Sequence, residues 1–169
     1  MPEQVTFKQT PMNLEGNLPA VGEPAPDFTL ADGDLKAVNL HDFRGRTVLL
    51  STVPSLDTPV CDTETRRLAK ELEPYREHVA FITVSMDLPF AQKRWCVAAD
   101  LPHLITLSDY RDHEFGRRYG VRILDLGLLA RAVFVIDSEG VVRYRELVPE
   151  VTHEPDYDAV LQAVRAQLH

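Results

Sequence analysis

The sequence has no cysteine pair at CxxC spacing, no HExxH or HxxxH, no G-x-S-x-G and no glycine-rich phosphate loop. These absences argue against a CxxC redox pair, a zinc protease, an α/β-hydrolase serine and a nucleotide cradle. The histidines are scattered, so a metal centre has no support. No apolar run approaches the length of a membrane span. Residues Met1 to Lys8 carry neither a basic n-region nor an apolar h-region, so no secretory signal is expected and a cytoplasmic location is. Positive charge is scarce: 18 Lys and Arg face 26 Asp and Glu, a net charge of -8. With no Lys/Arg cluster to offset it, this disfavours a nucleic-acid surface. Repeats, low-complexity tracts and linkers are missing too, and a single domain over residues 1–169 is expected. Cysteine is almost absent. In a reducing compartment the two that exist, Cys61 and Cys96, suit redox chemistry better than a permanent staple.

What is present alternates between strand and helix signals. Val5 to Lys8 and Asn13 to Leu18 suit an N-terminal β-hairpin, followed by a Pro-rich connection over Pro19 to Asp27. Phe28 to Leu30 and Ala37 to Leu40 read as short strands. Thr47 to Val53, Val79 to Met86 and Arg131 to Asp137 are apolar with little alternation, as strands buried on both faces are. Val141 to Leu147 should pair with its predecessor through the turn Asp137-Ser-Glu-Gly140. Helices are expected over Pro59 to Glu73, Pro89 to Asp100, Asp112 to Tyr119 and Asp156 to Gln167, with Gly120 closing the third. The pattern implies an α/β fold: a central mixed sheet flanked by helices on both faces, with an N-terminal β-hairpin.

The most informative stretch is Pro54-Ser-Leu-Asp-Thr58-Pro59-Val-Cys61. It joins a strand to a helix. Pro59 suits the first helical position and Thr58 the N-cap. Cys61 then lies in the first helical turn, where free N–H groups and the helix dipole favour a low-pKa, reactive thiolate. Against this stands the packing habit of cysteine, and Cys61 shares a helical face with Thr65, Leu68 and Leu72. For an arbitrary intracellular cysteine, packing outweighs catalysis by roughly two to one; the strand–Thr–Pro frame reverses that. The acidic chain disfavours a thiolate at long range, so its stabilising groups must be close.

In the Pro89 to Asp100 helix the apolar stripe is Phe90, Val97, Ala98 and Leu101. Cys96 lies off it, beside Gln92, Lys93 and Asp100, which weakens a packing role. A disulfide between Cys61 and Cys96 is possible on spacing, as is a cysteine hydrolase with a distant histidine. A protein thiol–disulfide oxidoreductase and a non-catalytic interaction domain stay open as well, although the missing CxxC counts against the first.

These residues carry a resemblance. Pro54-x-x-x-Thr58-x-x-Cys61 resembles the active-site motif of peroxiredoxins, and Ser51 to Arg66 as a whole resembles their bacterial thiol peroxidase branch. Gly22-Glu-Pro-Ala-Pro-Asp-Phe28 resembles the entry segment of that superfamily. Phe90-Ala-Gln-Lys-Arg-Trp-Cys96 resembles the helix with the resolving cysteine, and Gly127 to Asp137 the strand with the active-site arginine. Leu68 and Trp95 stand where family members more often carry phenylalanine.

The resemblance implies a thioredoxin-like (peroxiredoxin) fold and a thiol-dependent peroxidase with no cofactor. It implies that Cys61 is peroxidatic and Cys96 resolving, that Thr58 and Arg131 hold thiolate and peroxide, and that Pro54 shields them. The implied partners are a hydroperoxide substrate, hydrogen peroxide or an alkyl hydroperoxide, thioredoxin as reductant, and a second copy in a homodimer. Ionisation alone would not suffice. A free thiol of pKa about 8.5 is roughly 3% ionised at pH 7, so full ionisation gains only about thirtyfold. The Cys61 amide, the Thr58 hydroxyl and the Arg131 guanidinium should therefore aim donors at the peroxide oxygens.

Overall fold

The computed structural model describes residues 3–168. In chain order, strands β1 (Gln4–Phe7) and β2 (Thr10–Glu15) form the expected hairpin, and β3 (Thr29–Ala31) and β4 (Ala37–Asn39) a second. Then come β5 (Thr47–Thr52), α1 (Pro59–Leu72), β6 (Val79–Ser85), α2 (Pro89–Ala99), β7 (Ile105–Ser108) and α3 (Glu114–Arg118). The chain ends with β8 (Arg122–Ile123), β9 (Leu128–Leu129), β10 (Ala132–Ile136), β11 (Val142–Leu147) and α4 (Tyr157–Ala166). Strands β7, β8 and β9 add to the expected elements: they are short, of four, two and two residues, too brief to show a pattern of their own.

The main sheet has the order β11-β10-β5-β6-β7-β3-β4, with β5, β6 and β7 parallel and the rest antiparallel. Every residue of β5, β6 and β10 is buried, which explains why they show so little apolar–polar alternation. Alternate residues supply two cores. Leu49, Phe81, Val133 and Val135 meet Leu68 and Leu72 of α1 and Val160, Leu161 and Val164 of α4. Val48, Leu50, Ile82, Val84 and Phe134 meet Phe115, Tyr119 and the β1–β2 hairpin on the other face. Helices thus cover both faces. Gly120, at φ +70°, turns the chain out of α3, where a Cβ would lie 2.3 Å from the Asn17 backbone.

Helix α2 is turned the other way from the expectation. Phe90 and Val97 are 64% and 75% exposed, while Pro89 and Gln92 are buried and Trp95 and Cys96 half-buried. The reason is polar. The Gln92 amide donates to Ser85 Oγ (3.0 Å) and to the Leu107 carbonyl (2.8 Å), which anchors the polar side of α2 on β6 and β7. Cys96 is therefore off the apolar stripe yet on the inner side of its helix.

Candidate active site

The end of β5 and the start of β10 place the site. Alternation along β5 puts Ser51 on the same face as Leu49, towards α1. Alternation along β10 puts Arg131 on the face of Val133, and the pairing of Ala132 with Thr52 brings it to the end of β5. Pro59 opens α1 and Thr58 takes the N-cap in extended backbone. The inner face of α1 is then Cys61, Glu64, Thr65, Leu68 and Leu72, all buried. Cys61 is 0% exposed and forms a small apolar cluster with Val53 and Leu56, against which the half-buried Trp95 packs.

Arg131 is 2% exposed rather than a surface strand-end residue. Its Nη1 lies 3.4 Å from Cys61 Sγ and 2.8 Å from Glu64 Oε1, and its Nε donates to the Val151 carbonyl at 3.0 Å. Glu64 Oε2 accepts from Ser51 Oγ at 2.9 Å. Burial acts against the Arg131 charge, but the Cys61 sulfur and the Glu64 carboxylate outweigh it and hold the guanidinium above its ordinary pKa. Burial pushes the Glu64 carboxyl up, against the pull of Arg131 and Ser51. The pair is fixed at both ends, so the guanidinium cannot swing away from the sulfur.

The Val151 carbonyl that receives Arg131 is itself set by the hairpin. Val151 N–H donates to the Thr6 carbonyl and Thr6 N–H to that of Pro149, each at 2.8 Å. Glu150 accepts from Thr152, the Gln9 amide and Thr6, which hold its carboxyl well below the usual range. The N-terminal hairpin thus supports the arginine from behind.

Thr58 departs from the expected geometry. Its hydroxyl does not cap α1; it donates to the Ser55 carbonyl at 2.8 Å. The loop it belongs to is pinned by Asp87, whose carboxylate accepts from Ser55 Oγ (2.6 Å) and the Leu56 amide (2.8 Å). Pro54 is buried at the end of β5. The amides of Val60 and Cys61, in the first turn, have no acceptor within their own helix.

The structure brings Cys61, Thr58, Arg131 and Pro54 to one end of the sheet; Cys96 sits on the neighbouring helix. Both cysteines are free thiols. Cys96 Sγ faces Thr106 Oγ1 at 3.6 Å, and burial pushes its thiol pKa up. Sequence reasoning missed Glu64 and Asp87. Glu64 could have been found: it is an acid three residues after Cys61, within the otherwise uncharged inner stripe. Asp87 carries no comparable signal. A cavity of about 400 Å³, lined by Leu72, Phe81, Leu101 and His103 among others, contains none of the site residues. Among the described residues no helix is long and apolar enough to cross a membrane.

The Redoxin family model matches residues 20–161. The chain belongs to the Redoxin family. It is 51% identical over 164 residues to a thiol peroxidase of Halalkalibacterium halodurans, covering 97% of this chain and 98% of that one. To a thiol peroxidase of Listeria innocua it is 48% identical over 162 residues, 96% and 98% of the two chains. Among solved structures, a peroxiredoxin-like protein from Aquifex aeolicus superposes with a TM-score of 0.91 at 41% identity, covering 98% of this chain and 97% of that one. The fold is therefore the thioredoxin-like α/β fold of peroxiredoxins, and the activity that of a thiol peroxidase: peroxide reduction at the expense of a thiol.

Proposed function

We propose that Cys61 is the peroxidatic cysteine and Cys96 the resolving cysteine of one catalytic cycle. The observation that carries this is the buried Arg131 guanidinium held 3.4 Å from Cys61 Sγ at the start of α1. The Cys61 thiolate attacks one peroxide oxygen. An S–O bond forms, the O–O bond breaks, and the leaving oxygen departs as water or alcohol after taking a proton. As charge moves from sulfur to oxygen, the fixed guanidinium and the free first-turn amides stabilise it. Removing one such donor typically costs about 10²–10³ in rate. Thr58 contributes differently from the expectation. Its proton is committed to Ser55, so its lone pairs serve as an acceptor for the hydroperoxide O–H. Buried Pro54 helps keep water from the sulfur.

The product is a sulfenic acid on Cys61. The Cys96 thiol attacks that sulfur, an S–S bond forms, the S–O bond breaks and water leaves. Thioredoxin then reduces the disulfide. A protein reductant is supported by the outer face of α2, where Val97, next to Cys96, is exposed along with Phe90 at the start of the helix. Hydrogen peroxide and alkyl hydroperoxides are the substrates, the working unit is a homodimer, and the location is cytoplasmic.

The test is peroxide consumption coupled to thioredoxin and its reductase. Cys61→Ser should abolish it. Cys96→Ser should keep a single oxidation of Cys61 and lose turnover. A Cys96→Ser enzyme that cycles at the normal rate would overturn the intramolecular scheme.

A further inference from the structure

Trp95 and Cys96 are successive residues of α2, so their side chains leave the helix about 100° apart. Trp95 points to the Cys61 cluster of Val53, Leu56 and Cys61. Cys96 points instead to Thr106 on β7. The indole is also tied to the peroxidatic helix. Trp95 Nε1–H donates to Asp62 Oδ1 at 3.0 Å, and Asp62 is the residue after Cys61. Asp62 is held in turn by Arg66, whose Nε lies 3.0 Å from both carboxylate oxygens. The Arg66 guanidinium stands 5.4 Å from the centre of the indole ring, within cation–π range.

The remaining attachments of α2 are uneven. Gln92 fixes its first half to β6 and β7. In the second half Val97 is exposed and Cys96 makes only the long contact to Thr106. The helix ends on Asp100 in left-handed backbone at φ 55°, with closing bonds of 3.3 and 3.4 Å. Lys93 adds an exposed ion pair to Asp34 at 2.8 Å beside Gln92; in the last turns, beyond it, Trp95 is the principal anchor.

We propose that Trp95, through Asp62 and Arg66, is a positioning residue for the resolution step. It latches the second half of α2 to α1 and sets how fast Cys96 reaches the oxidised Cys61. This rests on the reading of Cys96 as the resolving cysteine. A disulfide needs Cα atoms about 4.4–6.8 Å apart with the sulfurs facing each other. With Trp95 in its slot, Cys96 is aimed at the sheet. Swinging Cys96 round draws the indole out and breaks its bond to Asp62. The latch therefore lengthens the life of the sulfenic acid, and with it the chance that a second peroxide oxidises Cys61 to the sulfinic acid.

The experiment is quench-flow alkylation with mass spectrometry after one equivalent of hydrogen peroxide, which follows the sulfenic acid and the disulfide separately. Trp95→Phe keeps an aromatic ring and removes the N–H donor to a carboxylate. Its disulfide should form about tenfold faster than in the wild type. The peroxide concentration that half-converts Cys61 to sulfinic acid should rise by a similar factor. Asp62→Asn retains an acceptor for the indole, and Arg66→Met, on the exposed side of α1, leaves the core untouched; each should accelerate resolution less. In the Trp95→Phe background Asp62→Asn should add nothing, since the pair acts as one unit. A role confined to folding would lower stability without this coupling. Unchanged or slower resolution in Trp95→Phe, or additive effects in the double variant, would overturn the latch. If the wild type forms no Cys61–Cys96 disulfide at all, it is the resolving-cysteine reading that fails.

Discussion

The first turn of α1 and the last turns of α2 lean on the same face of one sheet, yet they are held by different means. Around Cys61, Ser51, Glu64, Arg131 and the Val151 carbonyl form one buried chain of hydrogen bonds, and Asp87 pins the loop before it. Around Cys96 there is a half-buried thiol, one long contact and an exposed outer face. α1 buries Leu68 and Leu72 in the core it shares with α4, whereas α2 buries little but Pro89 and Gln92. The difference suits the two proposed chemical steps. Peroxide attack gains from donors fixed in advance, because they need not reorganise as charge moves. Disulfide closure needs one partner to travel, and the loosely anchored helix opens at lower cost.

Removing the guanidinium should break this contrast most severely. Arg131→Met should lower the second-order rate constant for Cys61 oxidation by about 10²–10³, measured at saturating thiolate. Arg131→Lys keeps the charge but loses the planar fork, and should fall between the two. A loss below about threefold for Arg131→Met would mean that the arginine acts on ionisation alone.

Stability sharpens the contrast next. Glu64→Ala leaves the Arg131 charge buried without its carboxylate, and should cost about 3–5 kcal/mol in urea unfolding. Glu64→Gln keeps an acceptor for Arg131 and should cost far less. The pH dependence has a defined sign. The folded-state pKa of Glu64 is raised, so its contribution is fully present below the unfolded carboxyl value and is lost as pH rises through the folded one. The gap between the wild type and Glu64→Gln should therefore shift in favour of the variant as pH rises. A Glu64→Ala protein as stable as the wild type would show that the frame around Cys61 is not held by this pair.

A smaller effect belongs to the other cysteine. Burial raises the Cys96 pKa, so in Cys61→Ser its alkylation by iodoacetamide should have a midpoint above the free-thiol value of about 8.5. A midpoint at or below that value would show that Cys96 already lives in an open, solvated helix.

Much of this is legible in the sequence, for reasons that differ by residue. The apolar runs over Thr47 to Val53 and Val79 to Met86 reveal the central strands because those strands are covered on both faces. Pro59 and Gly120 mark ends of α1 and α3 through backbone restrictions that act locally. Cys61 is legible from its frame. Arg131 comes only from the family resemblance, since its burial depends on the β5–β10 register. The α2 expectation fails because apolar spacing does not mark the inner face there; long-range bonds from Gln92 decide which side packs. Thr58 does take the N-cap, but its hydroxyl turns to Ser55, a choice set by the loop rather than the helix.

The central claim is that one helix is fixed and the other yields. Amide hydrogen exchange on the reduced and disulfide forms tests it directly. Amides over 93–100 should exchange at least about tenfold faster in the disulfide form, while those over 62–72 change little. Equal exchange across α2 in the two forms, or loosening of α1 instead, would contradict it.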